Sequence, residues 1–254
     1  MTRKALVPPV LRVRERIPEL MDDPGIDPVA HRRALAGLAR LNALSGSTGV
    51  LWGPIRAYAA KHPGRPLRIL DVACGSGDVP VGLAQRASHL GLNLQIDACD
   101  LSPTAVQATE EAVRAAGVAE RVRVFAHDAI RDPLPGGYDV VTCSLFLHHL
   151  PEDDVTTVLG RMRDASTGLV LVNDLARSWF NYLAVWLVCR VVTRSPVVHF
   201  DGPASVRSAF TPTEALALAQ RAGLDGAIVA SRWPCRFLLR WSRPEAGVGK
   251  PDNS

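Results

Sequence analysis

The chain has 254 residues, of which 47% are apolar and 21% charged. That is an ordinary globular balance, with enough chain for one sizeable core. The net charge of +4 is spread out, with a mild basic bias at both ends, and the basic residues are not interleaved with stacking aromatics. Nothing in that pattern calls for a nucleic-acid partner. Five cysteines, at 74, 99, 143, 189 and 235, form no C-x-x-C pair, which argues for free thiols in a reducing compartment. The first residues are basic but lack an apolar run and a cleavage site. The expectation is a cytoplasmic chain with no signal peptide.

Residues 1–26, rich in Pro and charge, read as an irregular segment on the surface. Asp27-Pro28 is a helix start, acid at the N-cap and Pro at the first helical position. Residues 29–44 then carry Leu35, Leu38, Leu41 and Leu44 on one face. A second helix over 50–60 carries Leu51, Trp52, Ile55 and Tyr58. Together, 27–62 read as a helical cap over a ligand mouth or as a layer covering a sheet.

After a linker at 62–66 the pattern alternates: strand 67–73, helix 79–89, strand 94–99, helix 103–116, strands 121–126 and 138–144, helix 152–165, strand 168–173. Alternation of this kind argues for a parallel sheet with crossover helices. The first strand runs into Asp71-Val72-Ala73-Cys74-Gly75-Ser76-Gly77-Asp78. Glycines there let the backbone take unusual angles and let a ligand approach. Asp78 suits an N-cap. The turn is not a Walker loop, because no Gly-Lys-Ser/Thr ends it, and Ala73 stands where a dinucleotide motif has glycine. The second strand ends in Asp100, placed to hold ribose hydroxyls. The third ends in Asp128, and the fourth leads into Leu145-Phe146-Leu147-His148-His149-Leu150.

These motifs, in this order and spacing, resemble the class I S-adenosylmethionine (SAM) dependent methyltransferases over roughly residues 40–241. The resemblance implies an α/β, Rossmann-like seven-stranded fold with a mostly parallel sheet and an antiparallel C-terminal hairpin, here over 227–241. It implies SAM as cofactor. Asp71, Ala73, Gly75 and Gly77 would line its amino-acid end, Asp100 and Leu101 its ribose and adenine. Asp128, Ala129 and Ser144 complete the set. On this reading the methyltransferase domain is 63–242, and 243–254 is a flexible tail.

The departure from a minimal enzyme of this kind is about 35 residues, 176–210, inserted after strand five. They contain an apolar, aromatic helix over 179–189, too short for a membrane span. A loop follows, with His199 and Asp201. This reads as a lid over an apolar substrate, or else as a homodimer interface, an extra core layer or a peripheral membrane contact. Thr211-Pro212-Thr213-Glu214 then starts a helix with a capping-box pattern.

Methyl transfer to a phenol or carboxylate oxygen calls for a base, and histidine suits that. His148, His149 and His199 are the candidates, with His148 preferred. In an extended segment the two adjacent histidines would point opposite ways, which makes a poor metal chelate. No acid cluster like that of magnesium-dependent catechol enzymes is found, so no metal is expected. Trp52, Asp174, Arg177 and Trp179 are the candidate substrate contacts. Within the family the likeness is to bacterial enzymes acting on phenolic lipids or polyketides, carried by Asn173–Ser178 and His199–Phe210. It extends to ubiquinone and menaquinone C-methyltransferases. O-methylation of a hydrophobic phenolic or polyketide-like small molecule is the leading expectation. C-methylation of a quinol precursor and a non-catalytic SAM-binding module are the rivals. Cys143-Ser144-Leu145-Phe146 stands where amino-methylating nucleic-acid enzymes carry Asn/Asp-Pro-Pro-Tyr/Phe.

Overall fold

The computed structural model describes residues 11–22, 25–27, 29–30, 33–34, 37 and 46–244. Seven strands form one sheet in the order β3-β2-β1-β4-β5-β7-β6. They are β1 Leu67–Val72, β2 Leu94–Asp100, β3 Val122–Ala126, β4 Tyr138–Ser144, β5 Ser166–Leu175, β6 Ile228–Arg232 and β7 Arg236–Ser242. The first five pair in parallel, and β7 pairs antiparallel with both β5 and β6. β4 and β5 are buried along almost their whole length, as strands covered on both faces must be. The chain winds outward from β1 in both directions, to β2 and to β4. Such a reversal opens a crevice at the carboxyl ends of the central strands.

The described helices are α1 Ser47–Lys61, α2 Asp78–His89, α3 Pro103–Ala115, α4 Glu152–Ala165, α5 Trp179–Val192, α6 Pro196–Ser208 and α7 Pro212–Arg221. None is long and apolar enough to cross a membrane. Several start where a side chain accepts an orphan amide. Ser102 accepts from Ala105 N–H, and Thr211 with Glu214 forms a complete capping box. Asp78 is different: Gly77 is the N-cap, at φ +84°, and Asp78 lies inside the first turn.

One face of the sheet is covered by α4 and α7, through Val155, Val158, Leu159, Met162, Leu218 and Ala219. The other is covered by α1, α2 and α3, through Leu51, Trp52, Ile55, Leu83, Ala84 and Val113. α1 is therefore a layer on the sheet, which corrects the cap reading for residues 47–61. Its Tyr58 ring lies so close to β5 that a Cβ on Gly168 would stand 2.1 Å from the hydroxyl. The expected helix over 29–44 is helical at Val29, Ala30, Arg33, Ala34 and Gly37. Its N-cap bond, Ala30 N–H to Asp27, is 2.8 Å. The rest of that helix, residues 1–10 and nearly all of the expected C-terminal tail lie outside the described residues.

The insertion after β5 is a helical pair. The stretch expected as a loop around His199 is helical, with Ser195 as N-cap and Pro196 in the first turn. α5 and α6 enclose a small core of Cys189, Val197 and Val198, closed by Ala34 and packed by Met21, Ile26 and Val185. Residues 11–22 are strapped along α6. Leu20 and Met21 N–H donate to the buried Asp201 carboxylate at 2.7 and 3.2 Å, and Ile17 N–H donates to Ser208 Oγ.

Ala73, at the mouth of the crevice, holds φ +56°, a left-handed conformation that disfavours any side chain with a Cβ. Replacing Ala73 with Gly relieves that strain. The Ala73→Gly variant is expected to gain about 0.5–1 kcal/mol in urea unfolding. An unchanged or lower stability contradicts the assigned backbone angle.

Candidate functional site

The glycine turn after β1 is pinned from two sides. Gly75 N–H donates to Asp100 Oδ2 at 2.9 Å, and Thr109 Oγ1 of α3 donates to the Gly75 carbonyl at 2.8 Å. Gly77 packs directly on Thr109, where a Cβ would come within 3.0 Å. Gly75 sits at φ +56°, and a Cβ there would meet nothing within 4 Å, so its outer face opens onto the crevice. Asp100 also accepts Ser102 N–H at 2.9 Å, which fixes its carboxylate at the end of β2. Leu101 beside it is 63% exposed, an apolar side chain at the same edge.

Asp71 is the unusual group. Its carboxyl is 1% exposed, and Oδ1 accepts the Thr142 hydroxyl at 2.6 Å. Burial pushes it up to about 7, against the opposing Thr142 hydrogen bond and with the Asp100 charge adding to the rise. No cation figures among these causes. The neighbouring Cys74 and Cys99 thiols are likewise pushed up to about 12, chiefly by burial. They are inert at neutral pH.

At the end of β3, Asp128 Oδ1 accepts Ile130 and Arg131 N–H, each at 2.9 Å. Those amide bonds, Arg131 first, hold the carboxyl low against slight desolvation. Asp128 thus builds the turn that carries Ala129. At the ends of β4 and β5, Asn173 Nδ2 donates to Ser144 Oγ at 2.9 Å. Asn173 Oδ1 and His127 Nε2 are buried with no hydrogen-bond partner among the described residues, and both residues lie at this carboxyl edge.

The next group joins the ends of β4 and β5. Leu145 turns the chain at φ +56°, and Leu147–His149 form a single 3-10 turn. His148 is 4% exposed, and its Nδ1 lies 2.6 Å from Asp174 Oδ1. Asp174 Oδ2 accepts His148 N–H at 3.2 Å, and Oδ1 accepts Leu175 N–H at 2.7 Å. Burial alone would lower the His148 pKa. The charge and hydrogen bond of Asp174 overcome it, Glu19 adds to them, and the net shift is upward. Burial would raise Asp174, but His148 overcomes that and the net shift is downward. The second ring nitrogen, His148 Nε2, faces Glu19 Oε1 of the N-terminal strap at 3.9 Å. Arg14, stacked 3.8 Å over the Phe210 ring, donates to the His148 and Leu150 carbonyls at 2.9 and 2.7 Å.

His149 does not point away from His148. Because both sit on one 3-10 turn, their ring centroids are 4.1 Å apart and tilted by 35°. That corrects the extended-segment orientation, in which the two rings would be too far apart to share an ion. Burial, followed by the His148 charge, brings His149 down to about 3, so it is neutral at physiological pH.

The other expected residues fall elsewhere. His199 lies on α6, with Nε2 2.8 Å from the Thr193 carbonyl. Trp52 is in the core between α1 and α2. Arg177 is 4% exposed, and its guanidinium donates to the Leu11 and Ala209 carbonyls and, at 2.6 Å, to Glu214. It ties the strap to α7, with each of its three nitrogens donating to a protein oxygen. Asp174 is buried and paired with His148. Trp179 is exposed, on an outward face of α5 with Phe180, Leu183, Trp186 and Leu187. Glu19 and Arg14 escaped the sequence reading, because only the folded strap brings them to His148.

A raised carboxyl leaves a signature in stability. Asp71 titrates at about 7 in the folded chain and near 3.9 when unfolded. Between those values the folded chain keeps a proton that the unfolded chain has lost, so stability falls as pH rises from about 4 to about 7. Asp71→Asn removes this dependence. In urea melts without ligand it is expected to exceed the parent by roughly 2–4 kcal/mol at pH 8 and by much less at pH 4.5. Parallel pH curves for the two proteins contradict the assignment.

A model of a methyltransferase domain matches residues 69–167. The ubiquinone biosynthesis O-methyltransferase of Methylococcus capsulatus is 30% identical over 191 residues, 68% of this chain and 76% of that one. The 3-hydroxy-5-methyl-1-naphthoate 3-O-methyltransferase of Streptomyces sahachiroi is 34% identical over 110 residues, which is 42% of this chain but only 30% of that one. Among solved structures, the SAM-dependent methyltransferase SibL in its apo form superposes with a TM-score of 0.63 at 20% identity, over 92% of this chain and 65% of that one. The O-methyltransferase family 2 protein of Planctomyces limnophilus, solved with apigenin, gives 0.59 at 16% identity over 87% and 63%. The chain thus spans less than two thirds of both solved structures and of the naphthoate enzyme. With the glycine turn, the acid at the end of β2 and the sheet order in place, this chain belongs to the class I SAM-dependent methyltransferases.

Proposed function

We propose that the chain methylates a hydroxyl oxygen of a hydrophobic phenolic or polyketide-like small molecule, with His148 as general base and Asp174 as its positioning residue. The carrying observation is the buried His148–Asp174 pair, 2.6 Å apart at the ends of β4 and β5. An imidazole whose Nδ1–H is held by a carboxylate presents Nε2 as the proton acceptor.

SAM, when bound, supplies an electrophilic methyl group on a sulfonium. The residues at the crevice fit it. Asp71 is a buried carboxylate whose pKa rise has no cation among its causes, and a cationic ligand end would complement it. The open face of Gly75 leaves space above the turn. Asp100 is fixed at the position from which ribose hydroxyls are held, with Leu101, Asp128 and Ala129 beside it for the adenine. The chain's remaining task is to align the substrate hydroxyl and accept its proton at His148 Nε2. The two relatives from Methylococcus capsulatus and Streptomyces sahachiroi are both O-methyltransferases, which favours oxygen over carbon as the acceptor.

His148→Ala is expected to lower kcat by about 10²–10⁴ while leaving SAM affinity within a few-fold. Asp174→Asn should give a smaller loss. The test is turnover on a panel of alkyl phenols, with isothermal titration of SAM and NMR placement of the product methyl. Full turnover by His148→Ala ends the base assignment, and a methyl on a ring carbon ends the O-methylation reading.

A further inference from the structure

We propose that Glu19, His148 and His149 form a binding site for a divalent transition-metal ion of the Zn²⁺ type, with Asp174 as its outer carboxylate. The three residues come from two places far apart in sequence, the N-terminal strap and the turn after β4. One donor atom from each lies within 4.8 Å of the other two. In a tetrahedral site with bonds of about 2.0–2.2 Å the ligand atoms stand about 3.4 Å apart. His148 Nε2 and Glu19 Oε1, at 3.9 Å, need to close by only about half an ångström to reach that spacing.

The donor chemistry fits. Two imidazoles and one carboxylate are a ligand set suited to zinc and its first-row neighbours. The stacked, tilted geometry of the histidine rings keeps both on one side of the turn. The outer shell is also in place. His148 gives Nδ1 to Asp174 at 2.6 Å, which leaves Nε2 for an ion. A carboxylate behind a ligating histidine orients the ring and raises its basicity. The Ser205 hydroxyl hydrogen-bonds to Glu19. Neither is a loose surface group: the His148 side chain is 5% exposed and that of Glu19 10%. Arg14, whose charge opposes a cation here, directs its guanidinium at backbone carbonyls.

An ion in this site links the strap to the sheet edge and occupies His148 Nε2. That lone pair is the one used by the proposed base, so a metal-loaded chain loses proton acceptance. This consequence rests on the base reading, whereas the site itself does not.

The test uses the full chain, stripped with a chelator and titrated with Co²⁺ without SAM or substrate. One saturable equivalent with visible ligand-field absorption is expected. Glu19→Gln and His149→Ala should each weaken binding at least tenfold, and Zn²⁺ should raise the Tm of the parent but not of Glu19→Gln. Circular dichroism confirms that each variant is folded, and Glu19→Gln, which removes only the strap's ligand, decides the matter if His149→Ala is not. Absence of saturable Co²⁺ binding, or equal affinity in the parent and Glu19→Gln, overturns the site. Saturable, variant-sensitive binding that leaves turnover untouched upholds the site and removes the base assignment instead.

Discussion

A carboxylate and an imidazole placed out of reach of water must satisfy each other, and at the ends of β4 and β5 they do. Asp174 is 1% exposed and accepts two backbone amides and the His148 ring. An unpaired charge there would cost several kcal/mol, so the pair holds the turn after β4 in one conformation. That conformation fixes the second ring nitrogen of His148, the stacking of His149 and the docking of the N-terminal strap through Arg14 and Glu19.

The sheet supplies the other half of the site. Because β1 lies between β2 and β4, the chain leaves its carboxyl end in two directions, and the glycine turn fills the gap. Thr109 and Asp100 hold that turn from opposite sides, so the backbone angles at Ala73, Gly75 and Gly77 are imposed by tertiary contacts. Asp71, beneath them, is left as a buried acid whose natural complement is a cationic ligand. The glycine turn and the His148–Asp174 pair are thus built at the carboxyl ends of strands of one sheet, with α5 and α6 added outside it.

Much of this was legible in the sequence, because its causes are local. Alternating apolar runs gave the strands, Ser102-Pro103 and Thr211–Glu214 gave helix starts, and Asp100 marked the end of β2. Where the structure departs from the sequence expectation, distant contacts are the usual cause. Ser195-Pro196 is the same helix-start signal as Ser102-Pro103, and the helix that it opens runs on through Gly202 and Pro203. The orientation of His148 and His149 follows from the 3-10 turn at Leu147–His149, which no local pattern announces. Trp52 and Arg177 look like ligand contacts by residue type, but the first fills a core and the second ties together backbone segments. Glu19 reaches His148 only once the strap has docked on α6.

The central claim is that the Asp174 charge sets the basicity of His148 for proton transfer. Its most direct measurement is kcat against pH, with SAM and a phenol saturating, for the parent and Asp174→Asn. The base must be unprotonated to act, so kcat rises with pH through the His148 pKa. Asp174 raises that pKa, and its replacement is expected to move the acid limb to lower pH with a reduced plateau. An acid limb that stays at the same pH in Asp174→Asn would contradict the account.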